Sequence, residues 1–391
     1  MHRAALSLIA LASAVGCAGC AGCGSIAYNT PSPSDPGVAV VQVKDLGAIP
    51  TNPDILGRDG AYSAFFEGNS VWLYGDTFLA KPNAGDFTLV SDSWSYTADL
   101  DAQDGINGFK ERTDSAGAPM MILPETAAEQ AFNQAHNAND CKAQPCGARW
   151  ALWPMSITVD PVANRALIFY QVVSALPGAF NFQGIGESVA TWQSLSAEPQ
   201  RPVFNPPVVP AHPDLMFTES EPSFGSASLI QSGTLYVYGC GLPSSGTDKG
   251  CRLARVGPAQ VQNLSAWTYY TANGTWSPQI ADAASVFTGD SILSVAWNSY
   301  LKRYVAVYSA VFSQNVMMRT APNPQGPWSD EIVAFPALQP ASGNVYDAHA
   351  HSEYDVNGGQ IFFVSYSRST PSPFSSEVRL VSVEIKPNPL P

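Results

Sequence analysis

The stretch Glu67-Gly68-Asn69-Ser70-Val71-Trp72-Leu73-Tyr74 is a polar turn that runs into an apolar segment ending on an aromatic residue. The same signature returns four times, as Leu167-Ile168-Phe169-Tyr170, Leu235-Tyr236-Val237-Tyr238, Tyr304-Val305-Ala306-Val307-Tyr308 and Ile361-Phe362-Phe363-Val364-Ser365-Tyr366. Each is preceded by another strand-like run and a turn: residues 160–164, Gln231-Ser232-Gly233, residues 298–302 and Asn357-Gly358-Gly359. Gly, Asn, Asp and Ser at those places are hairpin chemistry, because they tolerate the left-handed backbone of tight turns. Five related hairpins, spaced widely enough for two further strands each, predict an all-β chain folded as a five-bladed propeller. Further strands are expected at residues 91–97, 187–192, 267–271 and 316–319. After the fifth hairpin only residues 377–385 read as a strand, so the last blade needs a donor, and residues 38–43 (Val-Ala-Val-Val-Gln-Val) supply one. Borrowing it closes the ring and removes an exposed edge. An open sandwich of unrelated hairpins is the alternative.

Composition agrees with this reading. Charged residues make up 13% of the 391 and aromatics 11%, with 31 Gly and 32 Pro, which suits short strands and turns. A net charge of −13 excludes a nucleic-acid partner, which would require a basic face. No flexible linker interrupts residues 38–391, so they are read as one domain, and a monomer is expected.

The beginning of the chain points to export. Met1-His2-Arg3 is a positive start, residues 4–15 are apolar, and Ala14-Val15-Gly16-Cys17 looks like a bacterial lipobox, with an apolar run too short to cross a bilayer. Residues 1–16 are therefore expected to be a lipoprotein signal peptide, and residues 17–37 an acylated Cys17 followed by a Pro/Ser-rich tether. The partner of that anchor would be the bacterial membrane and the location the cell envelope; an ordinary secretory signal, with Cys17 unmodified, is the alternative. The body cysteines form two close pairs, Cys141 with Cys146 and Cys240 with Cys251, expected as disulfides in an oxidising compartment.

Propeller sites form at one mouth of the central channel. With the first turn centred on Gly68-Asn69, Ala61 is expected opposite Asp76, which brings Asp59 and Asp76 out at one end. Two carboxyls there are what glycosidic cleavage needs, one to protonate the leaving oxygen and one to activate water or attack carbon. Glu221, in Glu219-Ser220-Glu221-Pro222, would reach the same mouth from the third unit as an alternative catalytic acid, and Asp290 would reach it from the fourth. Arg149, Trp150 and Trp153 offer a guanidinium and sugar-stacking rings. His349 and His351 alternate along a strand in Tyr346-Asp347-Ala348-His349-Ala350-His351 and so share a face, fit to orient a hydroxyl. Arg368 follows Tyr366 as Asp76 follows Tyr74. Each of these residues has a plain structural role open to it as a turn, cap or core residue. No third ligand accompanies the histidines, and no phosphate, dinucleotide or zinc motif is present, so neither metal nor cofactor is expected.

The element Trp72-Leu73-Tyr74-Gly75-Asp76-Thr77-Phe78 after Arg58-Asp59-Gly60, the Ser-rich Ser91-Asp92-Ser93-Trp94, the Trp153-Pro154 pair, and a late Tyr-x-x-x-x-His with Val364-Ser365-Tyr366-Ser367 resemble the domain of unknown function 4185. The resemblance implies a five-bladed propeller of an exported bacterial protein, and an activity like the endo-D-arabinanases of glycoside hydrolase family 183. It places the catalytic acids on the positions of Asp59 and Asp76; the second-blade aspartate of the wider glycosidase clan has no counterpart in residues 149–154. The function expected is thus an exported glycoside hydrolase acting on a furanose-containing polysaccharide. A non-catalytic carbohydrate-binding propeller or an envelope interaction protein is the alternative.

Overall fold

The computed structural model describes residues 37–388 apart from 179, 243–248, 344 and 373–374. The expected signal peptide, Cys17 and the tether up to residue 36 lie outside the described residues. Five antiparallel sheets form a five-bladed propeller. The inner strands of blades 1 to 5 are Ile55–Phe66, Arg149–Asp160, Phe224–Gln231, Leu293–Asn298 and Tyr346–Ala350. They pack against one another around the axis and line a central cavity of ≈ 360 Å³. The second strands are Asn69–Leu79, Arg165–Ala175, Thr234–Cys240, Arg303–Ser309 and Ile361–Ser369.

The aromatic-ended runs lie in these second strands and are buried on both faces, which is why they are apolar throughout rather than alternating. Val71 and Leu73 point into the layer between blades 1 and 2, while Trp72 and Tyr74 point into the layer between blades 1 and 5. Blade 4 repeats this, with Val305 and Val307 facing blade 5 and Tyr304, Ala306 and Tyr308 facing blade 3. The core is thus a ring of interblade layers. Each large side chain fully buried in them contributes about 1.5–3 kcal/mol.

The first turn is centred on Glu67-Gly68, both with positive φ (48° and 77°), and pairs Phe66 with Asn69. That is one residue earlier than the sequence reading, and it shifts the ladder by two. Arg58 pairs with Thr77 and Gly60 with Tyr74, so Asp59, not Ala61, lies at the level of Asp76. The expected ring closure is present: Val38–Ala48 pairs antiparallel with Ser376–Pro387, giving blade 5 four strands. Blade 3 carries six.

One α-helix among the described residues departs from the all-β pattern. Ala127–Ala135 opens with a capping box in which Thr126 and Glu129 satisfy each other's backbone N–H groups. The helix delivers Glu129 to a buried network in which Arg201 donates to Glu129 Oε2 (2.6 Å) and Oε1 (2.9 Å) and to Asp214 Oδ2 (2.7 Å). Glu129, His212 and Asp214 are close enough to resemble a metal site, but the guanidinium already occupies the carboxylates. Both expected disulfides are present, Cys141–Cys146 in the loop after the helix and Cys240–Cys251 between directly opposed residues of blade 3.

Candidate active site

All five inner strands start at the same end of the axis. That mouth carries Asp59 from blade 1, Arg149 and Trp153 from blade 2, Glu221 and Asp290 just ahead of the inner strands of blades 3 and 4, and Asp347 from blade 5. Asp59 sits in a bulge, the ladder being irregular on both sides of Gly60. Such bulges re-aim side chains and are common beside active sites. The Asp59 Oδ1 atom lies over Gly75, 2.6 Å from where a β-carbon there would stand. Tyr346 Oη donates to Asp59 Oδ2 at 3.3 Å.

Asp59 and Asp76 are in different electrostatic settings. Burial, then the charges of Asp347 and Asp76, hold the Asp59 carboxyl well above the usual range, against the hydrogen bond from Tyr346 and the charge of Arg149. Asp76 is ion-paired with Arg149 and accepts a hydrogen bond from Trp153 Nε1 at 2.8 Å. The Trp153 ring meets Phe182 edge to face, with centroids 5.0 Å apart. Arg149 Nη1 also reaches Ser91 Oγ, at 3.4 Å. The mouth therefore holds one carboxyl that favours its proton beside one paired with a cation.

Asp290 accepts from Lys249 Nζ at 2.9 Å. Asp347 is raised to about 7 by burial and by Asp290, against a hydrogen bond from the Gly60 N–H. The Tyr62 hydroxyl, also raised by burial and then by Asp347, Asp59 and Asp290, completes the group.

The remaining candidates are placed differently. Glu221 turns back onto Thr218, accepting from its N–H (2.7 Å) and hydroxyl (3.0 Å). Its charge acts on Glu187 and Tyr269 rather than on Asp59. Trp150 is taken up in packing between Phe132 and His212, because the helix covers it. Arg368 is committed to Glu377 and the Gln339 carbonyl. His351 is fully buried, stacked on Trp72 with centroids 4.1 Å apart and bonded to Ser63 and Ser365; burial and then His349 push it well below its ordinary value, so it is a neutral structural residue. The His349 ring lies 5.4 Å from it, lowered to about 4 by burial, and lines the central cavity.

Sequence reasoning passed over Asp347, Tyr346, Tyr62 and Lys249, which the blades bring together. It also passed over Glu187, a fully buried carboxyl pushed up to about 8 by burial. Asp347 lies near the entry end of its inner strand, Tyr346–Ala350, as Asp59 does in Ile55–Phe66. Two exposed rings flank this mouth: Phe180 and Phe312, 92% and 90% exposed, in the loops that join the second and third strands of blades 2 and 4.

A family model described as Domain of unknown function (DUF4185) matches residues 55–368, from the start of the first inner strand into blade 5. The chain belongs to the DUF4185 family. Among solved structures, this DUF4185 propeller is similar to a candidate hydrolase from Bacteroides ovatus ATCC 8483, with a TM-score of 0.54 and 15% identity over 86% of this chain and 87% of that one. The α-L-arabinofuranosidase PaAbf62A from Podospora anserina, in complex with cellotriose, matches with a TM-score of 0.48 and 10% identity over 89% and 98%. The GH43_1 enzyme from Xanthomonas citri, complexed with xylotriose, matches with a TM-score of 0.47 and 14% identity over 88% and 90%. At such identities the Bacteroides likeness establishes the shared fold. No curated protein matches the chain significantly.

Proposed function

We propose that this DUF4185 propeller is a glycoside hydrolase that cleaves a furanose-containing, D-arabinan-like polysaccharide by carboxylate acid and base catalysis. The observation that carries the reading is the pair at the mouth: Asp59, whose proton is held by burial and neighbouring charge, at the level of Asp76, ion-paired with Arg149. In this scheme the Asp59 carboxyl gives its proton to the glycosidic oxygen as the bond to the anomeric carbon breaks. The Asp76 carboxylate either takes a proton from the attacking water, inverting the centre, or bonds to the anomeric carbon itself; in that case water, deprotonated by the Asp59 carboxylate, breaks the Asp76 ester in a second displacement, and the centre is retained. Trp153 and Phe182 offer an apolar surface against which a sugar face can rest. The D-arabinan class is supported by the family resemblance of the Asp59 and Asp76 elements. The test is incubation of purified protein with arabinans and other polysaccharides under reducing-sugar detection, where release from an arabinan is expected and release from none would overturn the reading.

A carbohydrate-binding propeller without catalysis is the second reading. It is favoured by one observation, that both Asp76 oxygens are engaged by Arg149 and Trp153. Measured affinity for an arabinan that is never cleaved would establish it. The resemblance of Ala14-Val15-Gly16-Cys17 to a lipobox supports placing the protein at the cell envelope by acylation of Cys17. Cys17→Ser is then expected to move the protein from membrane to soluble fractions, and an unchanged distribution would overturn the anchor.

A further inference from the structure

Blade 5 meets blade 1 at the mouth through two adjacent residues on each side. Tyr346 Oη donates to Asp59 Oδ2 at 3.3 Å, and the N–H of the next residue, Gly60, donates to Asp347 Oδ2 at 3.2 Å. Tyr346-Asp347 and Asp59-Gly60 thus exchange a pair of hydrogen bonds across the seam. Both partners are shaped for it. The ladder of blade 5 is irregular between Tyr346 and His349, and Asp347 takes a left-handed backbone at φ 56°; the ladder of blade 1 is irregular around Gly60, at φ 81°. A left-handed aspartate costs on the order of 1 kcal/mol, so the surrounding structure must enforce it. Among the described residues no group of the blade's own hairpin is hydrogen-bonded to the Asp347 carboxyl, which accepts from Gly60 across the seam.

We propose that Asp347 and Tyr346 are positioning residues that control when Asp59 gives up its proton, acting in opposite directions through the seam. The proposal rests on the hydrolase reading for its catalytic meaning, but the effect on Asp59 stands without it. Asp347 places a second carboxyl beside Asp59, and a negative charge there makes the Asp59 proton harder to lose. The Tyr346 hydroxyl stabilises the Asp59 carboxylate and makes the proton easier to lose. The other groups facing Asp59 are Asp76 on the paired strand and Arg149 of blade 2. Those facing Asp347 are Asp290, which is paired with Lys249, and Tyr62. Because the two carboxyls are neighbours, they lose their protons in two linked steps rather than independently.

The experiment is a carboxyl carbon-13 NMR titration of aspartate-labelled protein, with the Asp59 signal identified by its loss in Asp59→Asn. Asp347→Asn should lower the Asp59 midpoint by about one pH unit or more, and Tyr346→Phe should raise it. Asn accepts a left-handed backbone and retains an acceptor for Gly60, so the variant is expected to fold, as judged by its thermal transition; Tyr346→Phe provides the opposing arm if it does not. The alkaline limb of hydrolysis should follow the same two directions. An Asp59 midpoint unmoved by the substitutions, or moved the same way by both, overturns the proposal. Absence of hydrolysis in the unaltered protein would instead overturn the hydrolase reading and leave the titration result intact.

Discussion

The Asp59 Oδ1 atom lies 2.6 Å from the point at which a β-carbon on Gly75 would stand. Gly75 is therefore glycine for the sake of a carboxyl on the neighbouring strand. Gly75→Ala should displace Asp59 while disturbing little else, since the only heavy atom crowded is the end of a short side chain. The expected outcome is a loss of hydrolysis of at least tenfold with a thermal midpoint close to that of the unaltered protein, a combination that activity assays and calorimetry can separate.

Asp59→Asn and Asp76→Asn should each lower turnover by about two orders of magnitude or more and leave glycan affinity nearly unchanged, because an amide keeps the shape but cannot exchange the proton. The pH profile should be bell-shaped. Since Asp59 is held well above the ordinary aspartate range, and must be protonated to act, its ionisation sets the alkaline limb, which should vanish from any residual activity of Asp59→Asn.

Phe180 and Phe312 give a third test. Rings this exposed, at the rim of an acid-lined mouth, are suited to a chain longer than the sugar being cut. Aromatic packing is worth about 0.5–1.5 kcal/mol, so Phe180→Ala and Phe312→Ala should each raise KM for a polymer about two- to tenfold. Values of kcat on short oligosaccharides should stay constant. Equal effects on long and short substrates would count against a role in binding the chain.

Glu187 links the site's surroundings to stability. Burial raises it from 4.5 to about 8, so between those values the folded protein holds a proton that the unfolded chain has lost. Stability should therefore fall as pH rises through that window, by an amount on the order of a few kcal/mol. Glu187→Gln removes the linkage, and thermal unfolding followed from pH 5 to 9 should show a flatter dependence in the variant.

Much of this was legible in the chain. The hairpins could be read because each second strand carries an apolar run, buried on both faces, that ends on a buried tyrosine, and the closing strand because residues 377–385 lacked a neighbour. Asp59 and Asp76 emerged from the hairpin ladder even with its register misjudged by two, since both lie at the same end under either pairing. Asp347 was not legible as a site residue, because its role depends on a left-handed backbone and on contact with a strand from the other end of the sequence. Trp150 was misplaced for a comparable reason: a helix outside the repeat pattern decides what covers it. Glu187 is a single acid in an otherwise ordinary third strand, and only the meeting of blades 2 and 3 reveals that it is dry.

Removing residues 38–43 should take one strand from blade 5 and leave the partner strand Ser376–Pro387 with an open edge. Aggregation and a lowered thermal midpoint are the expected outcome; a truncated protein as stable as the intact one would mean that the ring does not depend on this pairing.

The seam has a consequence for how the chain could be rewritten. The Asn388 N–H donates to the Gly37 carbonyl at 3.0 Å, so the propeller's entry and exit coincide, at the end of the strands remote from the acids. A few residues of linker would span that gap and turn the closing pair into an ordinary hairpin. The chain could then be opened at Glu67-Gly68 or Ser232-Gly233 instead, and the circle would keep its blades in the same cyclic order. Such a circular permutant should keep its acid mouth, since neither of these openings lies at that end, and the ring then has no blade that must come first.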